Sequence, residues 1–167
     1  MDGKLRNMTA LYVTDRTDAE YPRLLMLYRI GSKVVEPSWC GIGGHFEKDE
    51  LNDARACVIR ELKEELGLSL EDVEDVKFRY VALRSTKGEI RQNYYFFAEL
   101  ENAEQLELVS NEGQLRWFTL AELADLNMPF SARFMMDHYV ETGRFDDKLY
   151  GGISDGTKIE FVEMQEG

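Results

Sequence analysis

A strongly patterned helix near the middle of the chain sets the first limit on the fold. Residues 52–66 have the apolar spacing of a helix, which Asn52 or Asp53 is suited to cap and Gly67 is suited to end. Its apolar stripe consists of Ile59, Leu62 and Leu66. Such a stripe is buried against another layer of secondary structure. The stripe therefore predicts a helix that packs on another layer, and the mixture of strands and helices along the chain indicates that this layer is a mixed sheet.

Three glutamates project from one face of this helix. Glu61, Glu64 and Glu65 stand at positions i, i+3 and i+4, so their carboxylates lie close together and repel one another. Small and apolar residues occupy the same arc in the preceding turns, namely Ala54, Cys57 and Val58. Clustered carboxylates that face the protein need a counter-charge, and their hard oxygens suit Mg²⁺ or Mn²⁺. The alternative is a solvated surface with Arg60 and Lys63, both expected on the solvent side, as salt-bridge partners.

The segment before and within the helix resembles a known signature. Gly43 and Gly44 lack side chains, so the backbone there is able to approach a metal or a phosphate. Residues 60–68, RELKEELGL, match the second half of the Nudix (MutT-like) hydrolase signature at every fixed position. The first half, a glycine followed six positions later by a glutamate, is met by Gly44 and Glu50. The chain is thus similar to the Nudix hydrolases.

The loop before the helix departs from the family pattern. Residues 51–59 separate Glu50 from Arg60, two more than the family has. If the match is anchored on the helix, Asn52 takes the position of the loop glutamate instead. Under either alignment, we expect Arg60 to brace the loop, against Glu47 or Glu50.

The resemblance implies an α+β fold, the Nudix fold, with a mixed β-sheet in an α/β/α sandwich. Because no repeat or long linker divides the chain, we expect a single domain over residues 1–167. A second long helix is predicted over residues 132–141, capped by Ser131, and a short helix over 120–126. Strands are predicted over residues 8–14, 23–29, 76–84, 93–100, 116–118 and 158–164.

The resemblance also implies a metal centre. The implied ligands of one to three Mg²⁺ ions, with Mn²⁺ as the alternative, are the Gly43 carbonyl and the carboxylates of Glu61, Glu64 and Glu65. These glutamates are also the implied catalytic residues. Glu112 stands five positions before Trp117, where some relatives place a further metal-binding glutamate. It is a metal ligand, the catalytic base or a solvated loop residue.

A small nucleotide is the substrate that the resemblance implies. Nudix enzymes typically hydrolyse a nucleoside diphosphate linked to another group. Residues 9–14, 38–44 and 117–136 are similar to the enzymes that clear oxidised purine nucleotides such as 8-oxo-dGTP. The favoured reaction therefore converts a (deoxy)nucleoside triphosphate to monophosphate and pyrophosphate. The alternatives are hydrolysis of ADP-ribose or another nucleoside diphosphate derivative, and a non-catalytic domain that senses a nucleotide.

Five residues are the candidates for substrate binding. They are Trp39, Cys40, Gly44, His45 and Phe130. Cys40 stands where eukaryotic oxidised-purine enzymes have a base-reading Asn, and thiols are weak hydrogen-bonding groups. Residues 128–132 also lack the Asp pair of those enzymes. Phe130 stacks a base or belongs to the core.

The net charge of the chain limits the classes of partner that it is suited to bind. With 20 basic and 32 acidic residues, the formal net charge is −12. Such a protein is a poor ligand for nucleic acid polymers and for acidic membrane surfaces. Two cysteines and no apolar run of membrane-spanning length favour a cytoplasmic protein. We expect a monomer or a homodimer.

Overall fold

The computed structural model describes residues 3–30, 36–100, 103, 108, 110 and 113–165. Within these residues the chain forms one mixed sheet and two long helices. The strands are β1 (Lys4–Asp15), β2 (Arg23–Arg29), β3 (Ser38–Cys40), β4 (Glu74–Thr86), β5 (Glu89–Leu100), β6 (Gly113–Thr119), β7 (Tyr150–Ser154) and β8 (Ile159–Glu163). The long helices are α1 (Ala54–Leu66) and α2 (Phe130–Glu141). No helix in these residues is both long and apolar enough to cross a membrane.

The sheet combines parallel and antiparallel pairs. Its strand order is β3-β2-β1-β5-β4-β7-β8, and β6 pairs with β2. The pairs β1–β5 and β4–β7 are parallel, whereas the other neighbours are antiparallel. This arrangement confirms the predicted mixed sheet.

The two helices cover opposite faces of the sheet. Along β1, Leu11 and Val13 join a buried cluster that includes α1, while Tyr12 between them joins the cluster that includes α2. The residues of β5 alternate in the same way, so that Phe96 faces α1 and Phe97 faces α2. Each fully buried side chain of this size contributes about 1.5–3 kcal/mol of transfer free energy. The predicted α/β/α sandwich is therefore confirmed.

A gap between β1 and β2 determines where the glycine segment runs. The two strands pair through Thr14 with Leu24 and Asp15 with Arg23, and then diverge. The chain after β3 fills the gap, and the Leu11 and Ile42 backbones exchange hydrogen bonds of 2.6 and 2.9 Å. A Cβ at Gly43 would overlap the Thr9 carbonyl. The glycines therefore allow the close backbone approach that the sequence predicts.

Helix α1 begins and ends as its sequence predicts. The Asp53 carboxylate, rather than Asn52, accepts a hydrogen bond of 3.0 Å from the Ala56 amide. Gly67 has a φ of 69° and donates its amide to the Lys63 carbonyl at 2.9 Å. Both ends of the helix are thus satisfied locally.

Other predicted elements differ from the observed ones. Ser131 is buried and does not cap α2, because the helix begins at Phe130, two residues earlier than predicted, after Pro129. The helix predicted over residues 120–126 is a 3₁₀ turn, Glu122–Asp125. Strand β7 is missing from the prediction because Gly151 and Gly152 are typical of a loop. In the fold, these glycines leave room for Met164 and Ile159 beside them.

Candidate active site

Arg60 binds carboxylates of the loop before α1 and of α1 itself, at one edge of the candidate site. Its Nε and Nη2 donate to the two carboxylate oxygens of the buried Glu50 at 2.8 and 2.9 Å. Its Nη2 also donates to the His45 carbonyl at 3.1 Å, and Glu47 lies 3.6 Å from its Nε. Arg60 therefore braces the loop through both predicted residues. Glu50 is the bidentate partner, whereas Asn52 is exposed, so the two extra residues lie in the turn between Glu50 and α1.

The same guanidinium holds two of the helix glutamates. Arg60 Nη1 lies 3.0 Å from Glu61 Oε1 and 3.0 Å from Glu64 Oε2. The expectation that Arg60 faces solvent is therefore wrong, because it is drawn into the acidic cluster. Gly44 touches the Glu61 carboxylate so closely that a Cβ there would overlap it. The structure thus brings Glu61 and Glu64 together beside the glycine loop.

Glu65 is buried and bound from both sides. Arg29, the last residue of β2, donates its Nη2 to Glu65 Oε1 and to the Gly43 carbonyl, each at 2.7 Å. The Gly43 amide donates to Glu65 Oε2 at 3.1 Å. Arg29 is a residue that sequence reasoning missed, since no local pattern links it to a helix 36 positions away.

Burial of this negative charge raises the pKa of two carboxyl groups, those of Glu65 and Glu61. Desolvation raises the pKa of Glu65 to about 7, because the Arg29 ion pair offsets it only in part and Glu61 adds repulsion. Desolvation also raises the pKa of Glu61, although the Arg60 charge acts in the opposite direction. A further cation among these groups would relieve the repulsion.

The donor set has the chemistry of a site for a hard divalent cation. Carboxylate and carbonyl oxygens are the groups that Mg²⁺ prefers. In the arrangement seen here, Arg29 and Arg60 supply the counter-charge. No three His, Cys, Asp or Glu side chains in the described part of the chain converge closely enough to hold a metal. Glu112, the remaining predicted ligand, lies outside the described residues.

A cleft of about 300 Å³ lies on the α2 side of the sheet, and its lining includes Gly43 and Gly44, which contact Glu65 and Glu61. Its walls come from β1, β4, β5, the last residues of β2 and β3, the glycine loop and the start of α2. Among the predicted substrate-binding residues and metal ligands, those that line it are Cys40, Gly43, Gly44, His45 and Phe130. Trp39 is not part of this wall in the described residues, since its ring packs between Tyr28 and Phe118 at 5.0 and 4.8 Å.

Three arginines give the cleft a basic lining. Arg29 is paired with Glu65, and Arg91 lies 3.1 Å from Glu89. The Arg84 guanidinium lies 4.0 Å from the centre of the Phe130 ring, a cation–π contact. Within the described chain, no carboxylate pairs with Arg84. This cleft therefore favours an anionic ligand, although the protein as a whole is acidic.

Comparison with known proteins identifies the family to which this chain belongs. The chain forms a mixed sheet between two helices, with a carboxylate-bearing helix behind a glycine loop. The family model of the NUDIX domain matches residues 4–139, so the chain belongs to the Nudix family. This membership confirms the expected class of enzyme, a Nudix hydrolase that acts on acid anhydrides. Nudix hydrolases generally use divalent metal ions.

Solved structures share the fold at low sequence identity. A MutT protein from Bacillus halodurans is 20% identical, with 97% of this chain and 99% of that chain covered and a TM-score of 0.61. An Ap4A hydrolase from C. elegans is 19% identical, with coverages of 84% and 99% and a TM-score of 0.67. The dihydroneopterin triphosphate pyrophosphohydrolase of E. coli is 18% identical, with coverages of 81% and 94% and a TM-score of 0.63. No curated protein sequence matches the chain.

Proposed function

We propose that the protein is a Mg²⁺-dependent hydrolase of a (deoxy)nucleoside triphosphate, such as 8-oxo-dGTP, that releases monophosphate and pyrophosphate. The observation that carries this proposal is the meeting of the glutamate cluster and the arginine-lined cleft at Gly43 and Gly44. One part has the oxygen donors for Mg²⁺, and the other has cations for phosphate.

The proposed metal ligands are the Gly43 carbonyl, Glu61, Glu64 and Glu65. Glu112 is a further ligand or the base. Bound Mg²⁺ would supply charge stabilisation for the pyrophosphate and a more acidic water. Arg29 positions the Gly43 carbonyl and Glu65, since it donates to both at 2.7 Å. Arg84 and Arg91 face the cleft, where guanidinium groups bind phosphate oxygens.

The size of the cleft supports a substrate with one nucleoside. Its volume of about 300 Å³ is at the lower end of the range of about 300–1,000 Å³ for small-molecule sites. The likeness to an Ap4A hydrolase motivates a second candidate, a nucleoside diphosphate derivative such as ADP-ribose or a dinucleoside polyphosphate. Such a substrate needs space for a second group beyond the cleft.

A product assay with Mg²⁺ tests the proposal. The panel contains the common (d)NTPs, 8-oxo-dGTP, ADP-ribose and a dinucleoside polyphosphate, and the products are separated by chromatography. We expect monophosphate and pyrophosphate from a triphosphate. Hydrolysis of ADP-ribose or the dinucleoside alone would support the second candidate, and no hydrolysis of any compound would contradict both.

The variant Glu64→Gln tests the ligand assignment. The side chain is exposed, so the fold should be retained, whereas turnover should fall about a hundredfold or more because metal binding supplies several kcal/mol. Glu71→Gln, in the exposed turn after α1, is the matched control and should behave as wild type. Near-normal turnover of Glu64→Gln would contradict the role given to Glu64.

A further inference from the structure

Two tyrosines lie side by side at the inner end of the cleft. Tyr12 on β1 and Tyr95 on β5 both line it, and their ring centroids are 6.3 Å apart at an interplanar angle of 27°. The two strands are parallel, with Ala10 opposite Tyr95, so the tyrosines occupy the same face of the sheet. Their side chains are fixed by packing, because Tyr12 is 0% and Tyr95 is 4% exposed.

Neither hydroxyl forms a side-chain hydrogen bond within the described residues. In the part of the chain that the structure describes, the Tyr12 hydroxyl oxygen is buried beside the Gly41 backbone and makes no hydrogen bond of good geometry. The Tyr95 hydroxyl likewise has none in that part of the chain, and burial alone raises its pKa. Burial also raises the pKa of Tyr12, so both groups remain protonated at neutral pH. An unpaired buried hydroxyl destabilises a protein, and phenylalanine would fill the same space without this cost.

The rest of the cleft indicates which part of a ligand reaches these hydroxyls. Gly43 and Gly44 line the same cleft, so a phosphate end held near the glutamates directs the remainder of the ligand inward. The walls in between include Ala10 and the ring of Phe130, which suit a flat, largely apolar group. A nucleobase combines such faces with polar edges.

We propose that the hydroxyls of Tyr12 and Tyr95 bind the polar edge of the substrate nucleobase and determine which base the enzyme accepts. This inference rests on the proposed function, since it assigns the base to the inner end of the same cleft. A site whose buried polar groups are satisfied by one base rejects a base that leaves them unpaired. The two tyrosines are therefore specificity residues, and the metal site is unaffected by their loss.

The variants Tyr12→Phe and Tyr95→Phe, singly and together, test this inference. Affinities for the nucleoside 5′-monophosphates of the common bases and of 8-oxoguanine are measured by calorimetry on the full chain, without hydrolysis. We expect wild-type protein to prefer one base, and each variant to weaken binding of that base about three- to tenfold while other bases change little. Neither variant should lower the urea midpoint markedly, because neither hydroxyl has a well-formed hydrogen bond to lose.

Tyr80→Phe is the matched control. Tyr80 is equally buried, but its hydroxyl lies 2.7 Å from His138 Nδ1 and it does not line this cleft within the described residues. This variant should lose stability and keep the base preference. Three results would overturn the inference. The double variant could keep the base preference of wild type, or wild type could bind every base equally or bind none. The third is a Tyr12→Phe variant that is as unstable as Tyr80→Phe.

The outcomes also separate this inference from the proposed function. Base-selective binding that depends on the tyrosines, together with no hydrolysis of any nucleotide, would support the inference and contradict the proposed reaction. Triphosphate hydrolysis with an unchanged base preference in the double variant would support the proposed reaction and contradict the inference.

Discussion

Replacing Glu50 with glutamine removes the carboxylate that pairs with Arg60 and keeps the volume of the side chain. The Glu50 side chain is 6% exposed, and it receives two hydrogen bonds, of 2.8 and 2.9 Å, from Arg60. Removing one partner of a buried ion pair costs about 3–5 kcal/mol. Arg60 retains Glu61 and Glu64 at 3.0 Å. We therefore expect the free energy of unfolding to fall by about 2–3 kcal/mol, at or below the lower end of this range.

Urea unfolding with a matched variant measures this loss. For a chain of this size, the expected change corresponds to a melting temperature about 4–12 °C lower. Glu47→Gln is the control, since that side chain is 59% exposed and 3.6 Å from Arg60, and it should cost less than about 0.5 kcal/mol. The m-values should not change. Equal losses for the two variants would refute the assignment of Glu50 as the loop partner of Arg60.

The pH dependence provides a second measurement of the same contact. Hydrogen bonds from Arg60 hold the pKa of Glu50 below its ordinary value, and they outweigh the effect of burial. A lowered folded-state pKa stabilises the protein above the unfolded pKa of about 4.3 and loses this effect as pH falls through the folded pKa. The difference between wild type and Glu50→Gln should therefore be constant from about pH 7 to 5 and shrink below about pH 4. A constant difference down to pH 2 would show that the charge of Glu50 is not its cause.

Two further predictions concern the metal and the glycine loop. Mg²⁺ at a hundred times its Kd should stabilise wild-type protein by about 2.7 kcal/mol and raise its melting temperature. The variant Glu61→Gln should show a smaller rise. Equal rises for wild type and variant would contradict the role of Glu61 as a ligand. Gly43→Ala should lose about 3 kcal/mol or more, because the new Cβ overlaps the Thr9 carbonyl; a circular dichroism melt as stable as wild type would contradict this packing.

Local patterns in the sequence predict α1 well. Its cap at Asp53, its end at Gly67 and the shared face of its glutamates depend on residues within one or two turns of each other. The partner of Glu65 is not predictable in this way, because Arg29 reaches it only through the pairing of β1, β2 and the glycine segment. The oligomeric state and the cytoplasmic location stay predictions of the sequence.

The place of Arg84 in the cleft lining is not predictable from the sequence, for a related reason. Arg84 lies on β4 and Phe130 starts α2, 46 positions later, and neither neighbourhood has a motif. Tyr95 belongs to the aromatic run of β5, which the alternation of a strand divides between the two faces of the sheet. Composition shows only the net charge of −12, which conceals a local cluster of arginines.

The geometry of Arg60 explains how one residue serves both the loop and the acidic cluster. Its Nε and Nη2 bind Glu50, whereas its Nη1 binds Glu61 and Glu64. A guanidinium has fixed, separate donor directions, and a lysine ammonium does not. If these glutamates hold a metal as proposed, Glu61 and Glu64 would turn from Nη1 to the cation while the two bonds that hold the loop remain. In the proposed function, Arg60 would thus neutralise the glutamates before a metal binds, and the loop would not depend on the metal.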